Sequence, residues 1–73
     1  MNYEQNFRST LKEIRKEKGF SQEKLAYACD LDRTYISMIE RGISSPTLSK
    51  LSVISEVLKV PLSEFFRRVE DYE

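Results

Sequence analysis

The sequence contains no histidine, a single cysteine, two glycines and two prolines. Without histidine there is no imidazole for general acid–base work, no Cys-His nucleophile and no histidine ligand for a zinc finger. The lone Cys29 has no partner for an internal disulfide. With so little glycine the chain has no phosphate-cradling Gly-rich loop. No uncharged run approaches the roughly 18–20 residues of a spanning helix, and the opening MNYEQNFRST has neither a basic nor an apolar export region. The expectation is a cytoplasmic protein that is not an enzyme, with no cofactor, no metal, no small-molecule substrate and no membrane partner.

Charge of either sign is also not in excess. Twelve Lys and Arg face twelve Asp and Glu, and residues 1–41 carry eight basic and seven acidic side chains against four and five in residues 42–73. The total neither demands nor excludes nucleic acid, so the distribution must decide. A chain of 73 residues buries a small core, commonly supplying about 3–5 kcal/mol, and self-association is one ordinary remedy.

What is present is helical periodicity, with no strand-like alternation of useful length. The class is all-α. Tyr3, Phe7, Leu11 and Ile14 recur at spacings of four, four and three, predicting a first helix from Tyr3 to about Lys18 that stops at Gly19. Ser21 caps a second helix, with Glu23 near its start and Leu25, Ala26 and Cys29 facing inward, ending near Asp30. Asp30, Leu31 and Asp32 form a connection so short that the next helix must cross steeply, as in a helix-turn-helix. Asp32 caps the third helix and Gly42 closes it. After a loop over Ile43–Pro46, a fourth helix is predicted over Thr47–Leu58 with Leu48, Leu51, Ile54 and Leu58 inward, and a fifth from Pro61 to about Glu70.

The third helix, LDRTYISMIERG with its caps, has a narrow apolar face. With Arg33 at zero and about 100° per residue, Ile36 and Ile39 fall near about 300° and 240°. Thr34, Ser37, Met38 and Arg41 lie opposite, flanked by Arg33 and Tyr35. Such a face suits a major groove: Arg bonds guanine bidentately, hydroxyls bond either edge, and methyl-bearing groups contact thymine. It equally suits solvent. Glu40, at about 340° on the same wheel, lies beside the isoleucines, where a carboxylate needs a cationic partner. Cys29, Phe20 and Leu31 are read as core or staple residues.

Gln22-Glu23-Lys24-Leu25-Ala26, then Leu31, Ile36, Ser37, Ile39, Glu40 and Gly42, resembles the helix-turn-helix of the phage-repressor (Cro/repressor, XRE-like) family. The resemblance continues through Pro46-Thr47-Leu48, Leu51, Ile54, Leu58, Val60, Leu62 and Phe65-Phe66. It implies a compact five-helix bundle in one domain over 1–73, with the helix-turn-helix at about 21–41 and a dimerisation region at about 53–72. It implies base contacts by Arg33, Thr34, Tyr35 and Ser37, phosphate contacts by Gln22, Ser21, Arg41 and Ser44, and a structural ion pair of Arg15 with Glu40. The family's usual turn glycine is replaced by Asp30, a residue type that tolerates a left-handed backbone. Within the family the run from Leu31 to Arg41 looks most like the controller proteins of restriction-modification systems, although the following loop reads Gly42-Ile43-Ser44-Ser45-Pro46 where many have Arg-Asn.

The resemblance also implies a homodimer through the far end, with Val57, Leu62, Phe65, Phe66 and Val69 at its interface. Phe65 and Phe66 are adjacent, so one is expected to face the chain's own core and the other its mate. The partners expected are a palindromic double-stranded DNA operator, a second copy, and RNA polymerase as a candidate. The competing function is a helical protein-interaction module or antitoxin-like partner that uses the apolar surface of the fourth and fifth helices.

Overall fold

Four of the helices begin where a side-chain oxygen takes up an unpaired backbone N–H, and this punctuation sets the architecture. In the computed structural model, which describes residues 2–72, Asn2, Ser21, Asp32 and Thr47 cap α1 (Tyr3–Glu17), α2 (Gln22–Ala28), α3 (Arg33–Glu40) and α4 (Leu48–Leu58). Pro61 precedes α5 (Leu62–Asp71) without a side-chain cap. No strand occurs among the described residues. Thr47, expected as the first helical residue of α4, is instead its cap. The second helix closes at Ala28, two residues before the expected Asp30, because Asp30 has already left helical space at φ 56°.

All of α1 to α4 are followed by a left-handed residue: Gly19, Asp30, Gly42 and Lys59. Asp30 therefore performs the turn that the resembled family gives to glycine. Lys59, at φ 58°, lacks a local side-chain device of that kind. Its turn is held by Ser55, whose Oγ donates to the Val60 carbonyl at 2.6 Å while the Val60 N–H donates to the Ser55 carbonyl at 3.1 Å. Gly42 is favoured by its φ of 78°, and a Cβ there would also oblige the flexible Arg8 side chain that lies over it to move.

The core is drawn from every helix: Leu11 and Ile14 of α1, Leu25 of α2, Ile36 and Ile39 of α3, Ile54 and Leu58 of α4, and Phe65 of α5 are all buried. The main packing partners are α1 with α5 and α2 with α3. Phe7 lies between Phe65 and Phe66, with ring centroids 6.3 and 6.5 Å away, and Tyr3 reaches Phe66 at 6.5 Å. Polar straps border this seam. Tyr72 donates to Glu13 at 2.9 Å, Asn6 to the Val69 carbonyl at 3.2 Å, and Arg68 makes a bidentate pair with Glu17 at 3.0 and 3.1 Å.

The cover of α5 by α1 corrects part of the expected dimer interface. Phe65 and Val69 are 0% exposed within the single chain, so they have no surface to offer a mate. Phe66 is half-buried against Tyr3 and Phe7 of its own chain. Leu48, expected to face inward, is 72% exposed because it is the first residue of α4 and points away from the Leu51–Ile54–Leu58 stripe. Val53 is also exposed, on another face of α4, and Val57 and Leu62 are partly buried.

Two consequences are measurable. Thr10 is 1% exposed and its hydroxyl has no hydrogen-bond partner. Thr10→Val replaces it by a methyl of similar shape and should stabilise the fold by about 1 kcal/mol, raising Tm by roughly 4–8 °C for a chain of this size; a lowered Tm in a thermal melt would refute this account of the site. Arg68 hydrogen-bonding holds the Glu17 carboxyl below its ordinary range, as Arg67 and Arg68 do for Glu64. These groups stabilise the fold fully above the ordinary carboxylate pKa, and the contribution is lost as pH falls through the lowered values. Wild type should therefore lose more Tm below about pH 4 than Arg68→Ala does, with the two curves converging in acid.

Candidate nucleic-acid interface

A helix of eight residues has little intrinsic stability, so α3 must be held by its surroundings. Ile36 and Ile39 anchor its inner face at 0% and 1% exposure. At its C-terminal end Glu40 is clamped by Arg15: Nε donates to Oε2 at 2.7 Å and Nη2 to Oε1 at 3.1 Å. The two side chains are 7% and 3% exposed. Arg15 Nη1 also donates to the Phe20 carbonyl at 2.8 Å, so one guanidinium ties α1 to the turn before α2 and to α3. Gln22 completes the cluster, its Nε2 donating to Glu40 Oε1 at 3.0 Å.

At the other end, Asp32 accepts from the Thr34 N–H at 2.8 Å and places its carboxylate at the positive end of α3. Between these fixtures the outer face is left open. Arg33, Thr34 and Arg41 are exposed, and Ser37 and Met38 are half-buried. Tyr35 is also half-buried and packs against the core. The chain then folds back: the Ile43 and Ser44 N–H groups both donate to the Met38 carbonyl, at 2.9 and 3.3 Å. That brings Ser44 beside the C-terminal half of α3.

The structure thus brings Arg33, Thr34, Ser37, Arg41 and Ser44 onto or next to one helix. Ser21 is exposed, with its Oγ accepting from the Lys24 N–H at 3.1 Å. Gln22 spends one of the two donors of its Nε2 on Glu40. Sequence reasoning missed Arg8, whose Nη1 lies 3.5 Å from the Arg41 carbonyl, across 33 residues of sequence, with Gly42 directly beneath its guanidinium. No local signal marks such a contact; the glycine that accommodates it was already explained by its turn. Burial pushes the Cys29 thiol upward from its ordinary pKa, which disfavours a reactive thiolate. No cluster of His, Cys, Asp and Glu able to hold a metal occurs among the described residues, and none of their helices is long and apolar enough to cross a membrane.

The packed pair α2 and α3, joined through residues 29–32 and with a polar face on the second, has the make-up of a helix-turn-helix, and a family profile described as helix-turn-helix (HTH_3) matches residues 11–65. The chain belongs to this family, the Cro/repressor (XRE) type of helix-turn-helix regulators. Within it, the chain is similar to control protein C.MunI of Mycoplasma sp, with 48% identity over 65 residues and 88% of each protein covered. It is also similar to control protein C.BamHI of Bacillus amyloliquefaciens, at 49% over 55 residues, covering 74% of this chain and 68% of that protein. Among solved structures, the wild-type restriction-modification controller protein C.Esp1396I superposes with a TM-score of 0.87 and 39% identity, over 97% of this chain and 93% of that one. That controller has also been crystallised bound to a 19 base-pair DNA duplex, and as a tetramer on its natural 35 base-pair operator.

The buried cluster gives a direct test. Glu40→Gln removes the charge that compensates a nearly buried guanidinium and should destabilise the fold by about 3 kcal/mol. Arg15→Met combined with Glu40→Leu should recover much of that loss, because no unpaired charge remains. Chemical denaturation of both variants measures this; a Glu40→Gln protein as stable as wild type would remove the pair from its structural role.

Proposed function

We propose that the chain is a sequence-specific, double-stranded DNA-binding transcriptional regulator that works as a homodimer on palindromic operators, in the manner of a restriction-modification controller protein, in the cytoplasm and without enzymatic activity. The observation that carries this reading is the rigid presentation of α3: two buried isoleucines and a buried ion pair hold it, and its outward side chains are Arg, Thr, Ser and Met. The kinship with C.MunI and C.BamHI, and the DNA complexes of C.Esp1396I, support the same reading.

In this mechanism α3 lies in the major groove, where Arg33, Thr34, Tyr35 and Ser37 read base edges and Gln22, Ser21, Arg41 and Ser44 fix register on phosphates. The buried pair keeps the reading helix from rotating away when it meets the groove. A second copy would place its α3 one helical turn along, about 34 Å away. Val53, Val57, Leu62 and Phe66 retain the surface for that pairing, and RNA polymerase is the partner through which activation would act.

Selection of random duplexes by the purified protein, followed by sequencing, should enrich a palindrome with half-sites about one helical turn apart. Arg33→Ala should then lose about 1–3 kcal/mol of discrimination at one base pair in each half-site while keeping its fold. An absence of enrichment would instead favour a protein-interaction module using Leu48, Val53 and their neighbours, both of which are exposed.

A further inference from the structure

Net charge on this chain is zero, with twelve basic and twelve acidic residues, yet the charges are sorted in space. On the α1–α5 side Glu17 and Glu64 pair with Arg68, and Glu64 and Asp71 with Arg67, while Glu13 and Glu70 accept from the hydroxyls of Tyr72 and Tyr3. The opposite side of α1 is different. An open hollow of about 260 Å³ is lined by Gln5, Arg8, Ser9 and Lys12 of α1 together with Glu40 and Arg41 from the end of α3. Arg8, Lys12 and Arg41 take part in none of the ion pairs among the described residues. The single carboxylate of the hollow, Glu40, has both oxygens engaged by Arg15 and Gln22. A neutral chain therefore carries a local cationic patch.

We infer that this face of α1 is a second contact surface for the phosphate backbone of duplex DNA, continuous with the end of the reading helix; the inference rests on the DNA-binding function proposed above. Residues 5, 8, 9 and 12 recur at helical spacing and form one face. Their amide, guanidinium, hydroxyl and ammonium groups all donate hydrogen bonds, as anionic oxygens require. Three long cationic side chains around an open hollow suit a phosphate chain, which carries no sequence information, better than a base edge. The patch adjoins the reading surface at two points: Arg41 belongs to both, and Gln22 bonds the same carboxylate that lines the hollow. Arg8 has a further structural duty over Gly42, which leaves the exposed Lys12 as the clean probe.

The test measures affinity of the full chain against salt concentration, on a mixed-sequence duplex and on a duplex selected by the wild-type protein. Lys12→Ala should weaken binding by the same factor on both duplexes and lower the slope of log K against log salt by about 0.9. The advantage of wild type should consequently shrink about threefold between roughly 50 and 200 mM salt. Lys12→Glu should exaggerate both effects, and base preference in a repeated selection should not move, in contrast to Arg33→Ala. Unchanged Tm for both variants would show that the fold is intact. If wild type binds DNA but both Lys12 variants bind with its affinity and slope, the α1 contact is wrong and the reading of α3 stands. If wild type binds neither duplex, the regulator reading fails and takes this one with it.

Discussion

The arrangement of α3 depends on one ion pair taken out of water. Arg15 and Glu40 come from α1 and α3, 25 residues apart, and meet at 2.7 Å with almost no exposure. A buried pair of this kind is weak evidence for stability, because desolvation offsets much of the attraction. Its value here is geometric. The bidentate fork admits one orientation of Glu40, the third guanidinium nitrogen fixes the turn at Phe20, and Gln22 adds a third hydrogen bond to the carboxylate. Two apolar contacts alone would leave an eight-residue helix free to roll; a directional cluster at one end and the Asp32 cap at the other do not.

From that cluster the division of labour along α1 follows. Its inward face supplies Leu11 and Ile14 to the core, Arg15 reaches α3, and Tyr3 and Phe7 cover α5 through the aromatic seam. What is left of its surface divides by charge, with Glu13 and Glu17 tied to α5 and Arg8 and Lys12 turned toward Arg41. A balanced composition thus conceals an unbalanced surface. Pairing on one side leaves cations unmatched on the other, so total charge is a poor guide to what this chain binds.

Local chemistry was legible residue by residue. Ser21 and Asp32 cap helices because their side-chain oxygens reach an N–H two or three residues on, and Gly19, Asp30 and Gly42 end helices because they enter left-handed space cheaply; the same role of Asn2 and Thr47 appears only in the structure. That Glu40 needs a cation was readable because a carboxylate on an apolar face is costly to leave unpaired, while the choice of Arg15 rested on the family resemblance. Lys59 was not legible: its side chain gives no reason for a left-handed backbone, and Ser55 imposes the turn by bonding across it.

The sequence by itself determined the helices, their limits to within two residues, the helix-turn-helix and the face of α3 that would read a groove. Each depends on periodicity or on contacts a few residues apart. Only the tertiary structure decided which apolar residues of α4 and α5 go inside. It buried Phe65 and Val69 and left Leu48 exposed, since a helical wheel gives the width of an apolar stripe but not the neighbour that covers it. It alone joined Gln22 to Glu40, and Gln5, Arg8 and Lys12 to Arg41. Those groups are brought together by the packing of α1 and α2 against α3, and nothing in the local chain records how near two helices will come.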